Sequence, residues 1–196
     1  IKMNNKNCLV IFCKNPDTQK VKTRLAKEIG KEKAVEIYKK ILDEIITKNK
    51  NSDYDLILYI KGDENYFSKY NLLTKQQVEG DLGKKMLTCF EDELKNYDKV
   101  VIVGSDMPEI DTKMIDNVFK KLDEFKLVFG PAYDGGYYLI AQKKPLDVFI
   151  DKWSHANVMR QTLDIALNKK YKFYLLEEKR DIDTKNDLEY YDEFNY

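Results

Sequence analysis

Apolar residues along this chain form short continuous runs and longer stretches with helical spacing. Residues 7–13, 54–60 and 99–103 are continuous runs, which are typical of strands buried on both faces in a parallel sheet. Between the first two runs, apolar residues recur every three or four positions from Leu25 to Ile45, with an interruption near Gly30. This spacing predicts an amphipathic helical stretch with a break in it.

The same alternation continues through the second half of the chain. Helices are predicted at residues 82–94, 111–122, 154–167 and 186–194, with Asp111, Ser154 and Thr184 as N-cap residues of the last three. Further strands are predicted at residues 127–131, 136–141 and 171–176, with a weaker candidate at 76–78. The pair Asp134-Gly135 favours a turn between the strands 127–131 and 136–141.

Strands that alternate with helices in this way predict a three-layer α/β fold. A length of 196 residues suits one domain, residues 1–196, with a core of its own. In open α/β sheets, ligands bind beyond the carboxyl ends of the strands. Residues just past the predicted strand ends are therefore the first candidates for a functional site.

Composition narrows the expected chemistry. The chain has 34 basic and 34 acidic residues, so net charge favours neither nucleic acid nor an anionic membrane as a partner. No apolar run approaches the roughly 20 residues of a membrane span, and we expect no signal peptide. Three cysteines without metal-ligand spacing favour reduced thiols and a cytoplasmic location. Because His155 is the single histidine, any metal is expected to have oxygen ligands, which favours Mg²⁺ or Mn²⁺.

Basic residues cluster between the first predicted strand and the first helix. Lys14, Lys22 and Arg24 can converge on an anion at the helix start, where free N–H groups and the helix dipole also favour negative charge. Arg24 can bind a phosphate through two parallel hydrogen bonds, whereas Lys22 acts as a point charge. A solvated basic turn is the alternative, and the residues of this loop alone support both interpretations equally.

A single carboxylate follows another buried strand. In the segment 104–108, Asp106 is expected at the strand's carboxyl end, where it can ligate a metal that bridges phosphate oxygens. The alternative is an aspartate that merely ends a strand and starts a turn. The expected position opposite the basic loop favours the metal ligand.

The segment before the helix at 82–94 carries a weaker signal. Gly80 and Gly83 let the backbone approach a nucleotide closely, and Asp81 between them can contact a base or a ribose. Capping of the following helix by Asp81 is the stronger interpretation of that residue.

The segment 134–137 is the next candidate. Asp134, Gly135, Gly136 and Tyr137 suit a pocket for an acceptor or a sugar, and a tight hairpin is the alternative. Trp153 and His155 follow some distance on. Trp153 can stack on a ring but is more often a core residue, and nothing near His155 in the sequence orients it for catalysis.

Two carboxylates at alternate positions follow the last predicted strand. Asp181 or Asp183 can offer a ligand to a metal shared with Asp106. The alternative is N-capping of the final helix by Asp183 or Thr184, and we expect the segment to serve both purposes.

Taken in chain order, these segments resemble the bacterial radical-SAM/selenodomain-associated transferase family, within the nucleotide-diphospho-sugar transferase (glycosyltransferase A) fold. The matching segments are Lys-x-Pro and Val-Lys-Thr-Arg-Leu (14–25), Gly-Asp-Leu-Gly (80–83), Gly-Ser-Asp-Met-Pro (104–108), Asp-Gly-Gly-Tyr (134–137) and Asp-Ile-Asp-Thr (181–184). Each is weak alone, but the ordered set is specific and covers nearly the whole chain.

The resemblance implies a Rossmann-like three-layer α/β/α fold with a mixed, mostly parallel sheet. It implies a metal on Asp106 with a further contact from Asp183, and nucleotide phosphates on Lys14, Lys22 and Arg24. It also suggests that an acceptor binds near residues 134–137.

The chain departs from the family's pattern at three positions. Gln19 and Glu79 stand where glycine is usual, and Lys85 stands where arginine is usual. These changes affect the expected details of nucleotide contact and leave the expected fold unchanged.

The resulting hypothesis is metal-dependent nucleotidyl transfer from a nucleoside triphosphate to a small phosphorylated acceptor, with release of pyrophosphate. Asp106 would place Mg²⁺, while Arg24 and Lys22 would offset charge on the leaving phosphates. Sugar transferases of this fold more often carry Asp-x-Asp, whereas residues 104 and 105 here are Gly and Ser. Glycosyl transfer from a nucleotide-sugar and non-catalytic nucleotide binding are the alternatives.

Overall fold

The structure is a computed structural model that describes residues 6–194. Its strands are β1 (Asn7–Lys14), β2 (Asp55–Lys61), β3 (Leu73–Gln76), β4 (Lys99–Val103), β5 (Leu127–Pro131), β6 (Tyr137–Gln142) and β7 (Phe173–Leu175). They form a sheet in the order β3-β2-β1-β4-β6-β5-β7. β6 is antiparallel to β4 and β5, whereas the other pairings are parallel. The predicted mixed, mostly parallel sheet is confirmed.

Helices cover both faces of this sheet. They are α1 (Thr23–Ile29), α2 (Lys31–Asn49), α3 (Leu82–Glu93), α4 (Thr112–Glu124), α5 (Val158–Asn168) and α6 (Lys185–Tyr190). Short 3₁₀ turns lie at Asn65–Tyr70 and Asp192–Phe194. Within residues 6–194, no helix is long and apolar enough to cross a membrane.

Successive side chains of β1 point to opposite faces of the sheet, which explains why the fold has a helical layer on each face. Leu9 and Ile11 belong to the hydrophobic cluster formed with α1, α2, α4 and α6, whereas Cys8 and Val10 belong to the cluster formed with α3 and α5. These four side chains are fully buried. Because successive strand residues point to opposite faces, a continuous apolar run is what a strand between two helical layers requires. Burial of each such aliphatic side chain contributes roughly 1.5–3 kcal/mol.

Strand direction decides which loops meet. β1, β2, β4, β5 and β7 run the same way, so their carboxyl ends lie at one edge of the sheet. β6 runs the opposite way and therefore begins at that edge. The loop after β1, the turn after β4, the β5–β6 connection and the segment after β7 consequently approach one another.

Several predicted boundaries are confirmed. Gly30, with φ 94°, separates α1 from α2, where the helical spacing predicts a break. Asp81 and Asp111 cap α3 and α4 by accepting hydrogen bonds from Lys84 N and Met114 N. Thr184 caps α6 in a reciprocal capping box.

Three predictions need correction. Ser154 does not cap α5, because its φ is 66° and the helix begins only at Val158, after Asn157. The weak strand lies at Leu73–Gln76 instead of 76–78, since this edge strand is half exposed and lacks a clear apolar pattern. The final helix ends at Tyr190, and the remaining predicted turn is a separate 3₁₀ segment.

The β5–β6 connection depends on one glycine. Gly135 has φ 93°, and a Cβ atom there would lie 1.9 Å from the carbonyl oxygen of Ala156. The Gly135 carbonyl also accepts a hydrogen bond of 2.8 Å from Met159 N in α5. The connection and the segment before α5 are thus packed backbone against backbone.

Substitution of this glycine should destabilise the protein. Gly135→Ala adds an unfavourable φ and a clash with backbone that cannot rotate away, so we expect a loss of about 2 kcal/mol or more. For a chain of this size, thermal unfolding should then show a midpoint lowered by roughly 4–8 °C.

Gly136→Ala is the matched control. A Cβ atom there would meet Asp134 Oδ1 at 3.4 Å, which is an ordinary contact. Its unfolding midpoint should change little, and an equal loss in both variants would contradict the special role of Gly135.

Candidate active site

A cavity of about 810 Å³ lies at the sheet edge where these loops meet. Its walls combine the carboxyl ends of β1 and β4, the first turn of α3, the start of β6 and the segment before α5. Of the residues predicted for the site, those that line it are Lys14, Lys22, Arg24, Asp106, Asp134, Gly136, Tyr137, Asp181 and Asp183. Residues from distant parts of the sequence therefore lie together, as we expect from their positions just past the ends of strands.

The loop after β1 is held from two sides. The buried Asn15 side chain donates from Nδ2 to the backbone carbonyl of Asp63 at 3.1 Å and accepts from Asp17 N at 2.8 Å. Tyr38 of α2 accepts from Lys14 N at 2.7 Å and donates to Lys14 O at 3.0 Å. Ser105 Oγ also donates to the Tyr38 hydroxyl, at 3.4 Å. The Tyr38 hydroxyl thus links the basic loop to the turn that carries Asp106.

No local sequence pattern predicts this role of Tyr38. The residue occupies the apolar face of α2, and its ring is buried with that face. The one available indication was the residue type, because the hydroxyl of a buried tyrosine usually has a hydrogen-bond partner.

Lys22 directly precedes α1 and reaches the acidic side of the cavity. Its backbone is left-handed, with φ 49°, a conformation that costs a non-glycine residue about 1–2 kcal/mol. Its side chain is 1% exposed. The ammonium contacts Asp106 Oδ1 and the carbonyl oxygen of Ile182, and it lies 3.8 Å from Asp183 Oδ1. The lysine predicted to bind phosphate therefore binds carboxylates in this structure.

Three other carboxylates form a compact group. Asp134, Asp181 and Asp183 each offer an oxygen within 4.8 Å of the others. Asp181 Oδ1 is buried, and within residues 6–194 no group donates a hydrogen bond to it. Asp134, predicted for the acceptor region, thus stands beside the predicted metal ligand Asp183.

Burial and mutual repulsion perturb these carboxyls. Burial raises the pKa of Asp181 well above its ordinary value, and the charges of Asp106 and Asp183 raise it further. The pKa of Asp183 is also raised, to about 6. Burial is the larger cause of this increase, and repulsion from Asp106 is the second. A group of this kind has a strong affinity for positive charge, and its hard oxygen donors suit Mg²⁺ or Mn²⁺.

The segment after β7 is also held by contacts that do not involve the side chains of Asp181 and Asp183. Asp187 accepts hydrogen bonds from the backbone of Asp183 and Thr184 at 3.1 and 2.9 Å, so it closes the capping box of α6. Ile182 N donates to Asp106 O at 2.8 Å, which ties the segment to the turn after β4. Because Thr184 supplies the cap, the Asp183 side chain is not used for capping.

The opposite wall of the cavity is basic. Arg24 is exposed. Its positive charge lowers the pKa of Asp183 and so partly offsets the increase caused by burial and by Asp106. The pKa of Lys85 is lowered, chiefly by burial and secondly by repulsion from Lys61. The charge of Lys14 adds to that repulsion. Lys14 and Lys61 are paired residues at the ends of β1 and β2. Positive charge is therefore concentrated where β1, β2 and α3 meet.

The glycine-rich segment before α3 contributes less than expected. Gly80, Asp81 and Gly83 are absent from the cavity wall, which takes Leu82, Lys85 and Met86 from this region. Asp81 Oδ1 accepts from Lys84 N at 2.8 Å as the helix cap. A Cβ atom on Gly83 would lie 2.8 Å from Phe149 Cβ, so this glycine permits close packing. Their predicted nucleotide contact has no geometric support beyond proximity to Lys85.

Trp153 and His155 both line the cavity. The Trp153 ring packs edge-on against Tyr137, with 6.3 Å between ring centroids. His155 Nδ1 accepts from Asn157 N at 3.1 Å, and Nε2 lies 2.9 Å from Lys152 O. Because the backbone engages both ring nitrogens, His155 is a structural residue of the turn, as its sequence context favours.

Several solved structures that are similar to this chain are named as transferases. A structure from Desulfovibrio desulfuricans G20, provisionally named a nucleotide-diphospho-sugar transferase, has a TM-score of 0.84 and 29% identity over 92% of this chain and 83% of its own. A nucleotidyl transferase from Methanothermobacter thermautotroptrophicus has a TM-score of 0.63 and 14% identity over 97% and 98% of the two chains.

A third structure, CMP:2-keto-3-deoxy-manno-octonic acid synthetase complexed with CTP, has a TM-score of 0.62 and 8% identity over 95% and 96% of the two chains. At such low identity, the second and third structures establish the fold alone. A search of curated proteins finds no match. The family profile described as "Uncharacterized protein conserved in bacteria (DUF2064)" matches residues 46–155, more than half of the chain, and the chain therefore belongs to this family.

Proposed function

We propose that this protein is a metal-dependent nucleotidyltransferase that transfers a nucleotidyl group from a nucleoside triphosphate to a small phosphorylated acceptor. One observation carries the proposal: a cavity at the sheet edge sets basic side chains after β1 against carboxylates after β4 and β7. Phosphoryl chemistry needs cationic groups for the phosphates and oxygen ligands for a divalent metal, and this cavity offers both.

The basic wall would hold the triphosphate. Arg24 lies in the first turn of α1, where its guanidinium is exposed and free to form a two-pronged contact with phosphate. Lys14 and Lys85 line the same cavity and supply further positive charge. These groups stabilise charge that develops on the leaving phosphates, which is the main contribution a protein makes to this chemistry.

The acidic wall fits a divalent cation. Asp106 and Asp183 would hold it, with Asp134 and Asp181 beside them. The buried Asp181 Oδ1, which has no hydrogen-bond donor among residues 6–194, supports the fit. A bound Mg²⁺ or Mn²⁺ would neutralise phosphate charge and orient the triphosphate. Ile182 N donates to Asp106 O, so the two parts of the acidic wall, after β4 and after β7, are held together.

The proposed reaction needs no covalent enzyme intermediate. An acceptor phosphate oxygen forms a bond to the α-phosphorus, and the bond from that phosphorus to the bridging oxygen breaks, releasing pyrophosphate with its electron pair. The connection around Gly136 and Tyr137 is proposed to hold the acceptor, because it borders the carboxylates. Positioning of the two substrates then supplies much of the rate.

Glycosyl transfer from a nucleotide-sugar is the second candidate. The provisional name of the Desulfovibrio structure, at 29% identity, favours it. The absence of a second carboxylate at residue 104, which is glycine, favours nucleotidyl transfer instead. We also propose that residues 1–196 form one domain and that the protein is cytoplasmic. We propose further that it shares the radical-SAM/selenodomain association of the family that it resembles.

The product distinguishes the two reactions. We expect the protein, a nucleoside triphosphate, Mg²⁺ and a pool of small phosphorylated acceptors to release pyrophosphate, measured by a coupled pyrophosphatase assay. A bound triphosphate at 100 times its Kd should also raise the unfolding midpoint, since it adds about 2.7 kcal/mol of stability. Release of nucleoside diphosphate from nucleotide-sugars, without pyrophosphate from triphosphates, would favour the second candidate and contradict the first.

Two substitutions should separate catalysis from folding. Arg24→Ala should lower kcat/KM on the order of 10³-fold by analogy with other arginines that stabilise phosphoryl transfer. Asp106→Asn should abolish metal-dependent turnover. Both residues lie at the cavity rim, so circular dichroism should show intact folding.

Arg160→Ala and Asp116→Asn are the matched controls, because both residues are exposed and lie outside the cavity wall. They should keep the full rate. Near-normal turnover in either Arg24→Ala or Asp106→Asn would show that the corresponding role is wrongly assigned.

A further inference from the structure

Lys22 carries a cation into the carboxylate site. Its ammonium contacts Asp106 Oδ1 and the Ile182 carbonyl oxygen and lies 3.8 Å from Asp183 Oδ1. Two carboxylates and one backbone carbonyl, all oxygen donors, are also the ligand types that Mg²⁺ and Mn²⁺ take in proteins. The ammonium therefore stands at a position that suits a divalent cation.

The surrounding charges explain why a cation is held there. Asp106 and Asp183 would repel each other without it, and Asp134 and Asp181 add two more carboxylates nearby. The Lys22 side chain is 1% exposed, and a buried ammonium is stable only where anionic oxygens replace its water. The carboxylates and the lysine thus stabilise each other.

We propose that Lys22 is a resident counter-ion of the carboxylate site and that a divalent cation must displace its ammonium from Asp106 and Asp183 in order to bind. This inference rests on the metal site of the proposed function and adds a regulatory step to it. Metal and ammonium compete for the same oxygens, so Lys22 lowers the affinity for metal in the absence of nucleotide.

The local structure allows the displacement. Lys22 lies outside α1, at the end of a loop, and its ammonium contacts only Asp106 Oδ1 and the Ile182 carbonyl oxygen at hydrogen-bond distance among residues 6–194. Arg24 is two residues away and lines the same cavity, so a released Lys22 ammonium can turn towards the space proposed for phosphates. A triphosphate would stabilise the released lysine, and metal and nucleotide would consequently bind with positive coupling.

Mn²⁺ binding tests the competition directly. The free Mn²⁺ signal in electron paramagnetic resonance gives the Kd for the wild type, for Lys22→Met and for Lys27→Met, the last being an exposed lysine of α1 and the matched control. Without nucleotide, Lys22→Met should bind Mn²⁺ at least about tenfold more tightly than the wild type, a usual size for a coupling between two ligands. Lys27→Met should match the wild type.

The outcomes separate this inference from the proposed function. Equal or weaker Mn²⁺ binding by Lys22→Met would overturn the competition and leave the metal site standing. Absence of Mn²⁺ binding by all three proteins, with and without a nucleoside triphosphate, would overturn the metal site and this inference with it.

A measurement on the wild type avoids any folding defect of the variant. Acetylation by an N-hydroxysuccinimide ester, followed by mass spectrometry, reports how accessible each lysine is. Lys22 should react much more slowly than Lys27 in metal-free protein, and saturating Mn²⁺ should raise its rate severalfold. An unchanged rate for Lys22 at Mn²⁺ concentrations that fill the site would overturn the displacement.

Discussion

The contact of the Lys22 ammonium with Asp106 and with the segment after β7 joins the two ends of the fold at the candidate site. Lys22 follows the first strand, whereas Ile182 and Asp183 follow the last one. The Lys22 ammonium is buried, and the oxygens that it contacts replace its water, whereas the Asp106 side chain is 43% exposed. The same burial would make the ammonium costly without these partners. The geometry of the cavity rim therefore depends on a balance between one ammonium and several carboxylates.

The sheet topology makes that balance possible. Reversal of β6 between β4 and β5 brings the connection with Asp134 to the carboxyl edge, and the parallel pairing of β5 with β7 brings the last segment beside it. The carboxylate of Asp134 thereby lies within 4.8 Å of those of Asp181 and Asp183, which are almost 50 residues further along the chain. Backbone packing at Gly135 keeps that connection against α5.

The similar solved structures establish the fold of this chain, whereas its reaction has to be inferred from its own residues. A nucleotidyl transferase, a synthetase complexed with CTP and a provisionally named nucleotide-diphospho-sugar transferase share this fold. A fold hosts several chemistries, so function must be argued from the side chains at the edge of the sheet. In this chain, those side chains are an exposed arginine, a group of lysines and a partly buried carboxylate cluster.

The sequence by itself determined the layered fold, because continuous apolar runs such as 99–103 and amphipathic stretches such as 82–94 require a sheet covered on both faces. It also determined the caps at Asp81, Asp111 and Thr184, since capping is a local interaction. Only the tertiary structure decided that Lys22 faces carboxylates, that Asp134 joins Asp181, and that Gly83 serves packing. These contacts join residues far apart in the chain, and no local pattern encodes the direction in which a side chain points once strands have paired.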